Sequence, residues 1–288
     1  MNHSFNMSFK DILNESLLNK SLLNESLLDD EDELFDRNDK TLIELWIKEN
    51  YKIYGTLEIY EDKHGFVVDS DGGVKVTNKD IKSLTNGMFR WGEIAGGLDC
   101  SECTGLKSLK DAPKKCDWFN CFGCIKLTSL EGVPSKCIDF ICSGCTGLRT
   151  LEGAPKKCYN FYCSECTELI SLEGAPSECN WFDCPKCTGL RTIEGAPQTV
   201  GNFYCRGCNE LKTLKGAPQR VDVWLDCSEC TGLRSLEGAP KKCNNFNCEN
   251  CTTLTSLEGV PVGATIICVN CPGLTITDDD RKKYKISL

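Results

Sequence analysis

Nine Cys-x-x-Cys pairs follow one another along this chain at a near-constant step of 21 residues. They are Cys100/Cys103, Cys121/Cys124, Cys142/Cys145, Cys163/Cys166, Cys184/Cys187, Cys205/Cys208, Cys227/Cys230, Cys248/Cys251 and Cys268/Cys271. Thiolates at this spacing bind zinc or iron–sulfur clusters, and successive pairs stand about as far apart as the halves of a zinc ribbon. Nine pairs, however, cannot all be matched two by two. The two histidines, His3 and His64, both lie outside the array. A third cysteine precedes five of the pairs: Cys116, Cys137, Cys158, Cys179 and Cys243. At that place other units carry Val200, Val221 and Ala264. Valine and alanine bind no metal but fill a core much as a free thiol does. The position therefore reads as apolar. The paired cysteines show no such variation, and their expected role as buried small hydrophobes rests on strand geometry. The alternative is a structural or storage metal array of zinc or iron–sulfur type. Cystines are a weaker reading, because no secretion signal is legible and 23 cysteines then point to a reducing compartment.

A fixed period of this length needs an architecture in which each unit packs on its neighbours, which is a solenoid. The consensus runs L-x-S/T-L-E-G-A-P-K-K-C-x-x-F-x-C-x-x-C-T-x. In the unit Leu148 to Glu168, Glu152-Gly153-Ala154-Pro155 breaks the chain, and Asn160-Phe161-Tyr162-Cys163 alternates as a short strand. Phe161 and Cys163 share the inner face; Asn160 and Tyr162 share the outer one.

Phe140-x-Cys142-x-x-Cys145-x-x-Leu148 and its sister segments resemble the leucine-rich repeat, with cysteine at the position that stacks into a ladder after each strand. The run C-x-x-C-T-x-L-x-S-L-E-G-A-P is more specifically similar to a family of cysteine-rich repeat proteins found in large phages of gut bacteria and in some bacterial genomes. The likeness covers Cys100 to Leu274. It implies a right-handed coil with one parallel β-sheet on a concave face, an irregular, turn-built convex side, and a small α+β cap at the N-terminal end. It implies little about activity. The cysteine content points to a cytoplasmic, reducing setting, and the resemblance implies association with a virion as the alternative.

Four segments follow. Residues 1–40 carry ten Asp/Glu against four Lys/Arg and repeat Ser-Leu-Leu-Asn in steps of five, which leaves no single apolar stripe on a helix. They read as a disordered or partly helical leader able to dock on a larger assembly. Residues 41–99 read as the cap. A helix over 39–50 starts at Asp39 and presents Leu42, Leu45 and Trp46. Strands follow at Thr56–Tyr60, Phe66–Asp69 and Val74–Thr77, and Lys79 takes the ladder position of a degenerate repeat. Residues 100–277 are the nine repeats, and 278–288 a short helical lid.

The outward strand positions supply the candidate site: Trp118, Asn120, Asn160, Tyr162, Trp181, Asp183, Tyr204, Trp224 and Asp226, with Phe122 just past its strand. Rigid aromatics beside Asn and Asp suit recognition of a protein or a glycan; aromatics also simply suit strands. Along the edges, Glu131, Glu152, Glu173, Glu194, Glu237 and Glu258 form a row broken by Lys215. Lys107, Arg149, Arg191, Lys212 and Arg234 form another. Interleaved signs predict a solvated salt-bridge lattice, and the net charge of −9 argues against nucleic acid. No membrane-spanning run, phosphate loop or metalloprotease helix is present. His64 reads as a turn residue. The expectation is a non-enzymatic binding or scaffold protein that needs no cofactor.

Overall fold

The computed structural model describes residues 40–288; the leader and the predicted N-cap Asp39 lie outside the described residues. The chain forms a β-solenoid of about 11 turns. Helix α1 (Lys40–Asn50) leads into strands β1 (Tyr51–Ile53), β2 (Leu57–Asp62), β3 (Gly65–Ser70), β4 (Val74–Val76), β5 (Arg90–Ile94) and β6 (Gly97–Asp99). The repeats then place one strand per turn: β7 (Trp118–Asn120), β8 (Asp139–Ile141), β9 (Asn160–Tyr162), β10 (Trp181–Asp183), β11 (Thr199–Tyr204), β12 (Arg220–Asp226), β13 (Lys242–Asn247) and β14 (Thr265–Ile267). Helix α2 (Asp278–Lys283) and β15 (Lys285–Ser287) close the described chain.

The main sheet has twelve strands in the order β1-β4-β6 to β15, parallel throughout except at β1, which pairs antiparallel with β4. The strands are in register, so each repeat position becomes a column. In the central column Phe119, Phe140, Phe161, Phe182 and Phe203 stack with ring centroids 5.1–5.7 Å apart and planes within 15° of parallel. Leu98, Leu225, Phe246 and Ile266 continue it, all fully buried. Behind it lie columns of paired cysteines and of leucines, such as Leu169 and Leu172, with no exposed surface until the last pair, where Cys271 is half-buried. Each turn covers its neighbours' apolar faces, which is why three-residue strands suffice.

The step from Cys205 to Cys227 is 22 residues, one more than the 21-residue steps on either side of it. The extra residue is absorbed as a bulge between Val221 and Trp224 that leaves Val223 half exposed. Flanking register therefore survives.

Both ends differ in part from the sequence reading. Helix α1 buries Ile43, Ile47 and Asn50, not the face of Leu42 and Leu45. Trp46 packs at the margin of the core. Strands β2, β3 and β5 form a separate three-stranded sheet over the first turns. There Trp91 is packed edge-on by Tyr51 and Phe89, each with centroids 5.3 Å away. His64 sits in the exposed β2–β3 turn, its backbone N–H donating to Asp62 Oδ1 at 2.9 Å. At the other end, helix α2 carries a Thr277–Asp280 capping box. The chain then returns as β15, a strand the sequence did not announce, which sets Ile286 beside Ile266.

Between the two cysteines of each pair the backbone turns through the left-handed region. Gly123, Gly144 and Gly207 adopt it without steric strain, but Glu102 does so at φ 58°. A side chain there costs about 1–2 kcal/mol, against the smaller entropic penalty of glycine. Glu102→Gly is expected to stabilise the fold by about 0.5–1 kcal/mol, read as a higher denaturant midpoint at unchanged slope.

Candidate binding face and thiol columns

The paired cysteines are not passive filler. From Cys124 onward, the second thiol of each pair donates to the carbonyl of the first cysteine one turn earlier. Examples are Cys124 Sγ to Cys100 O at 3.1 Å, Cys145 to Cys121 at 3.1 Å, Cys166 to Cys142 at 3.2 Å, Cys187 to Cys163 at 3.1 Å and Cys251 to Cys227 at 3.1 Å. Those carbonyls face the core, and an unmet carbonyl there is costly. Cysteine fits because it is small, apolar and still a donor. Lys79, at the equivalent place in the degenerate turn, donates instead to Ser101 O. Burial pushes the Cys103 thiol up to about 12 and those of Cys142 and Cys163 well above their ordinary 9.0. A thiol held neutral in this way is a poor nucleophile. Among the described residues, no three His, Cys, Asp or Glu side chains converge as a metal site would require.

The third cysteine lies at the rim of this core. Cys116 and Cys243 are buried, Cys158 and Cys179 are each 8% exposed, and Cys137 is half-buried. Val200 and Val221 are in register with Cys243, and Ala264 at the matching repeat position is buried like them, which agrees with an apolar position.

Two outward columns form the open face of the sheet. Residues Trp118, Asp139, Asn160, Trp181, Asn202, Trp224 and Asn245 are mutually in register in one. Asn120, Ile141, Tyr162, Asp183, Tyr204, Asp226 and Asn247 are in register in the other. All are half-buried by their neighbours. The Trp118 ring lies flat over Gly97, where an added Cβ would meet ring carbon at 2.0 Å. Trp181 and Tyr204 pack with centroids 4.9 Å apart. Phe122 is exposed beyond its strand.

Several polar members are tied to local structure. Asn120 Oδ1 accepts from Phe122 N at 2.9 Å, and Asp226 Oδ1 from Ser228 N at 2.9 Å; each closes the turn two residues on. Asn160 Nδ2 donates to Asp139 Oδ1 at 2.6 Å. Asp183 differs. Two residues after it stands Pro185, which has no N–H to give. Its carboxyl sits between Tyr162 and Tyr204 in the column. Burial, with smaller contributions from Cys184 and Asp226, raises it from 3.8 to about 6.

An acid raised in the folded state is stabilising when protonated. Its contribution is greatest below pH 3.8, falls as pH rises toward 6, and is flat above. Asp183→Asn is expected to leave stability at pH 4 nearly unchanged and to raise it at pH 7 by roughly 1–2 kcal/mol, after discounting for the solvent-facing third of the group. Paired denaturation curves at the two pH values measure it.

The expected salt-bridge lattice forms only in part. Within the acidic row the ion pair is Lys215–Glu237 at 2.9 Å. Other inter-turn pairs lie elsewhere, such as Lys115–Glu93 at 3.0 Å, Lys186–Glu165 at 3.5 Å and Arg206–Glu229 at 2.6 Å. No helix among the described residues is long and apolar enough to cross a membrane. No protein-family model matches the chain, and no curated protein or solved structure matches it.

Proposed function

We propose that this chain is a non-enzymatic binding scaffold that captures a protein partner on the open face of its sheet. The observation that carries this reading is Asp183: a half-buried carboxylate outside the Asx turns of its column, flanked by Tyr162 and Tyr204 and beside the Trp181–Tyr204 pair. Its burial costs stability at neutral pH. Costly polar groups set among rigid aromatics are what recognition surfaces retain. Trp118 and Trp224, in the same column as Trp181, extend the aromatic surface to either side, and Asn120, Asn160, Asp226 and Phe122 complete it. The leader, outside the described residues, would tether the scaffold to a larger assembly such as a phage particle, in keeping with the family resemblance.

The test compares the full chain with the Trp118→Ala/Trp181→Ala/Trp224→Ala triple variant and with Asp183→Asn. Each is used to capture partners from host extract and is also applied to a glycan array. Both variants are expected to fold and to lose the partner that the parent chain retains. Undiminished capture by the triple variant rejects this face, and selective retention of a sugar replaces protein by glycan. A chain lacking residues 1–39 should keep the partner but lose association with the assembly.

A further inference from the structure

The rim column of third cysteines offers chemistry that the buried pairs do not. Cys116, Cys137, Cys158 and Cys179 stand on four successive turns. Isolated bridges pair Lys136 with Lys157 and Lys157 with Glu178, so Cys137, Cys158 and Cys179 follow in parallel alignment. Adjacent strands lie about 4.8 Å apart, inside the Cα separation a disulfide accepts. Cys158 Sγ approaches Cys179 Sγ to 3.9 Å. Beyond Cys179 the row ends at Val200, so Cys158 is the one thiol beside it in this column.

Accessibility separates this pair from the Cys-x-x-Cys thiols beside it. The Cys-x-x-Cys thiols of the same turns, Cys163, Cys166, Cys184 and Cys187, have no exposed surface. Cys158 and Cys179 are each 8% exposed and line an open groove of about 680 Å³ together with Lys136, Lys157, Glu178 and Asp222. Two cations and two carboxylates share that wall, and Lys157 is ion-paired with Glu178, so access to the groove, not its net charge, is what admits a small reagent.

We propose that Cys158 and Cys179 form a reversible inter-turn disulfide by exchange with a small disulfide of the glutathione type. One thiol loses its proton and attacks a sulfur of the reagent, giving a mixed disulfide and releasing one small thiolate, which takes up that proton. The second protein thiol loses its proton and attacks the protein-side sulfur, releasing the second small thiolate, which is protonated in turn. The protein pair is oxidised by two electrons, and one small disulfide is reduced to two small thiols. The Cys179 thiol also donates to Trp181 O at 2.9 Å. Oxidation removes that donor directly beneath the open face. The disulfide itself does not depend on what that face binds.

The experiment treats the full chain with oxidised glutathione and maps it without reduction, using trypsin together with a protease that cuts after glutamate. Cleavage at Glu165, Glu168, Glu173 and Glu178 separates Cys158 from Cys179, so a linked product has lost two hydrogens and joins two peptides. Tandem fragmentation of the parent chain's product assigns the sulfurs. The link is expected to form at least about tenfold faster than any modification of the buried Cys-x-x-Cys thiols of the same turns, Cys163, Cys166, Cys184 and Cys187, and to reverse with dithiothreitol. It should be absent from Cys158→Val and Cys179→Val, substitutions that Val200 and Val221 show the column accepts. No link, a reaction that stops at the mixed disulfide, or a link that persists in Cys179→Val overturns the proposal.

Discussion

Alanine in place of Gly153 is expected to destabilise the solenoid by roughly 3–5 kcal/mol. Gly153 adopts φ +89°, a region side chains avoid, and a Cβ there would meet Glu131 N at 2.2 Å and Leu130 C at 2.5 Å. Both are backbone atoms of the preceding turn, so no rotamer change relieves the contact. The Glu-Gly-Ala-Pro corner is also where Leu130 N donates to Glu152 O at 3.0 Å and Leu151 N to Glu173 O at 2.8 Å, tying three turns together. Pushing one corner away loosens both bonds. Chemical denaturation of the Gly153→Ala chain measures the loss. A change below about 1 kcal/mol would mean that the corners are not the close contacts described.

Phe161→Ala is expected to cost a similar amount, about 3–5 kcal/mol, and to change the form of the transition as well as its midpoint. Phe161 is stacked on Phe140 at 5.4 Å and on Phe182 at 5.1 Å. No strand of a distant turn touches it, because a coil of this kind is joined only through nearest neighbours. Weakening one joint should uncouple the turns before it from those after it. Calorimetry should then show two transitions where the parent shows one. Phe161→Leu is the control: Leu225 already fills this column, so the cost should be about 1 kcal/mol with a single transition kept. One cooperative transition in Phe161→Ala argues against nearest-neighbour coupling.

The repeat architecture was legible because the same residue types return at the same step. Phe140, Phe161 and Phe182 define the inner column and Asn160 and Tyr162 the outer ones before any coordinates are consulted. Val200, Val221 and Ala264 likewise mark the third cysteine as an apolar position, and all three are buried. What could not be read depended on three-dimensional closure. Helix α1 is apolar on several sides, at Leu42, Ile43, Leu45, Trp46 and Ile47, so the 3.6-residue period alone does not choose a face. The end of the solenoid does, and it takes Ile43 and Ile47. Treating the paired cysteines as small hydrophobes missed the bond from Cys145 to Cys121 O, because the direction of that carbonyl is set by the left-handed turn between the pair. The Glu131, Glu152, Glu173 and Glu194 positions repeat in parallel register, so glutamate neighbours glutamate, and only the exception at Lys215 creates a partner within the row. In the binding face, Asp183 stands apart from Asp226 for a reason visible in one letter, Pro185, but its consequence appears only once the turn is built.

The strict register of the sheet makes separations along its face discrete. Trp118 and Trp181 are three rungs apart, and Trp181 and Trp224 two, or roughly 14 and 10 Å at the ordinary strand spacing. Excising one whole turn between two of these rings would shorten their interval by a single rung and leave every remaining contact type in place. Gain or loss of repeats therefore works as a stepwise gauge, by which such a chain could be refitted to a longer or shorter counterpart without redesigning any residue.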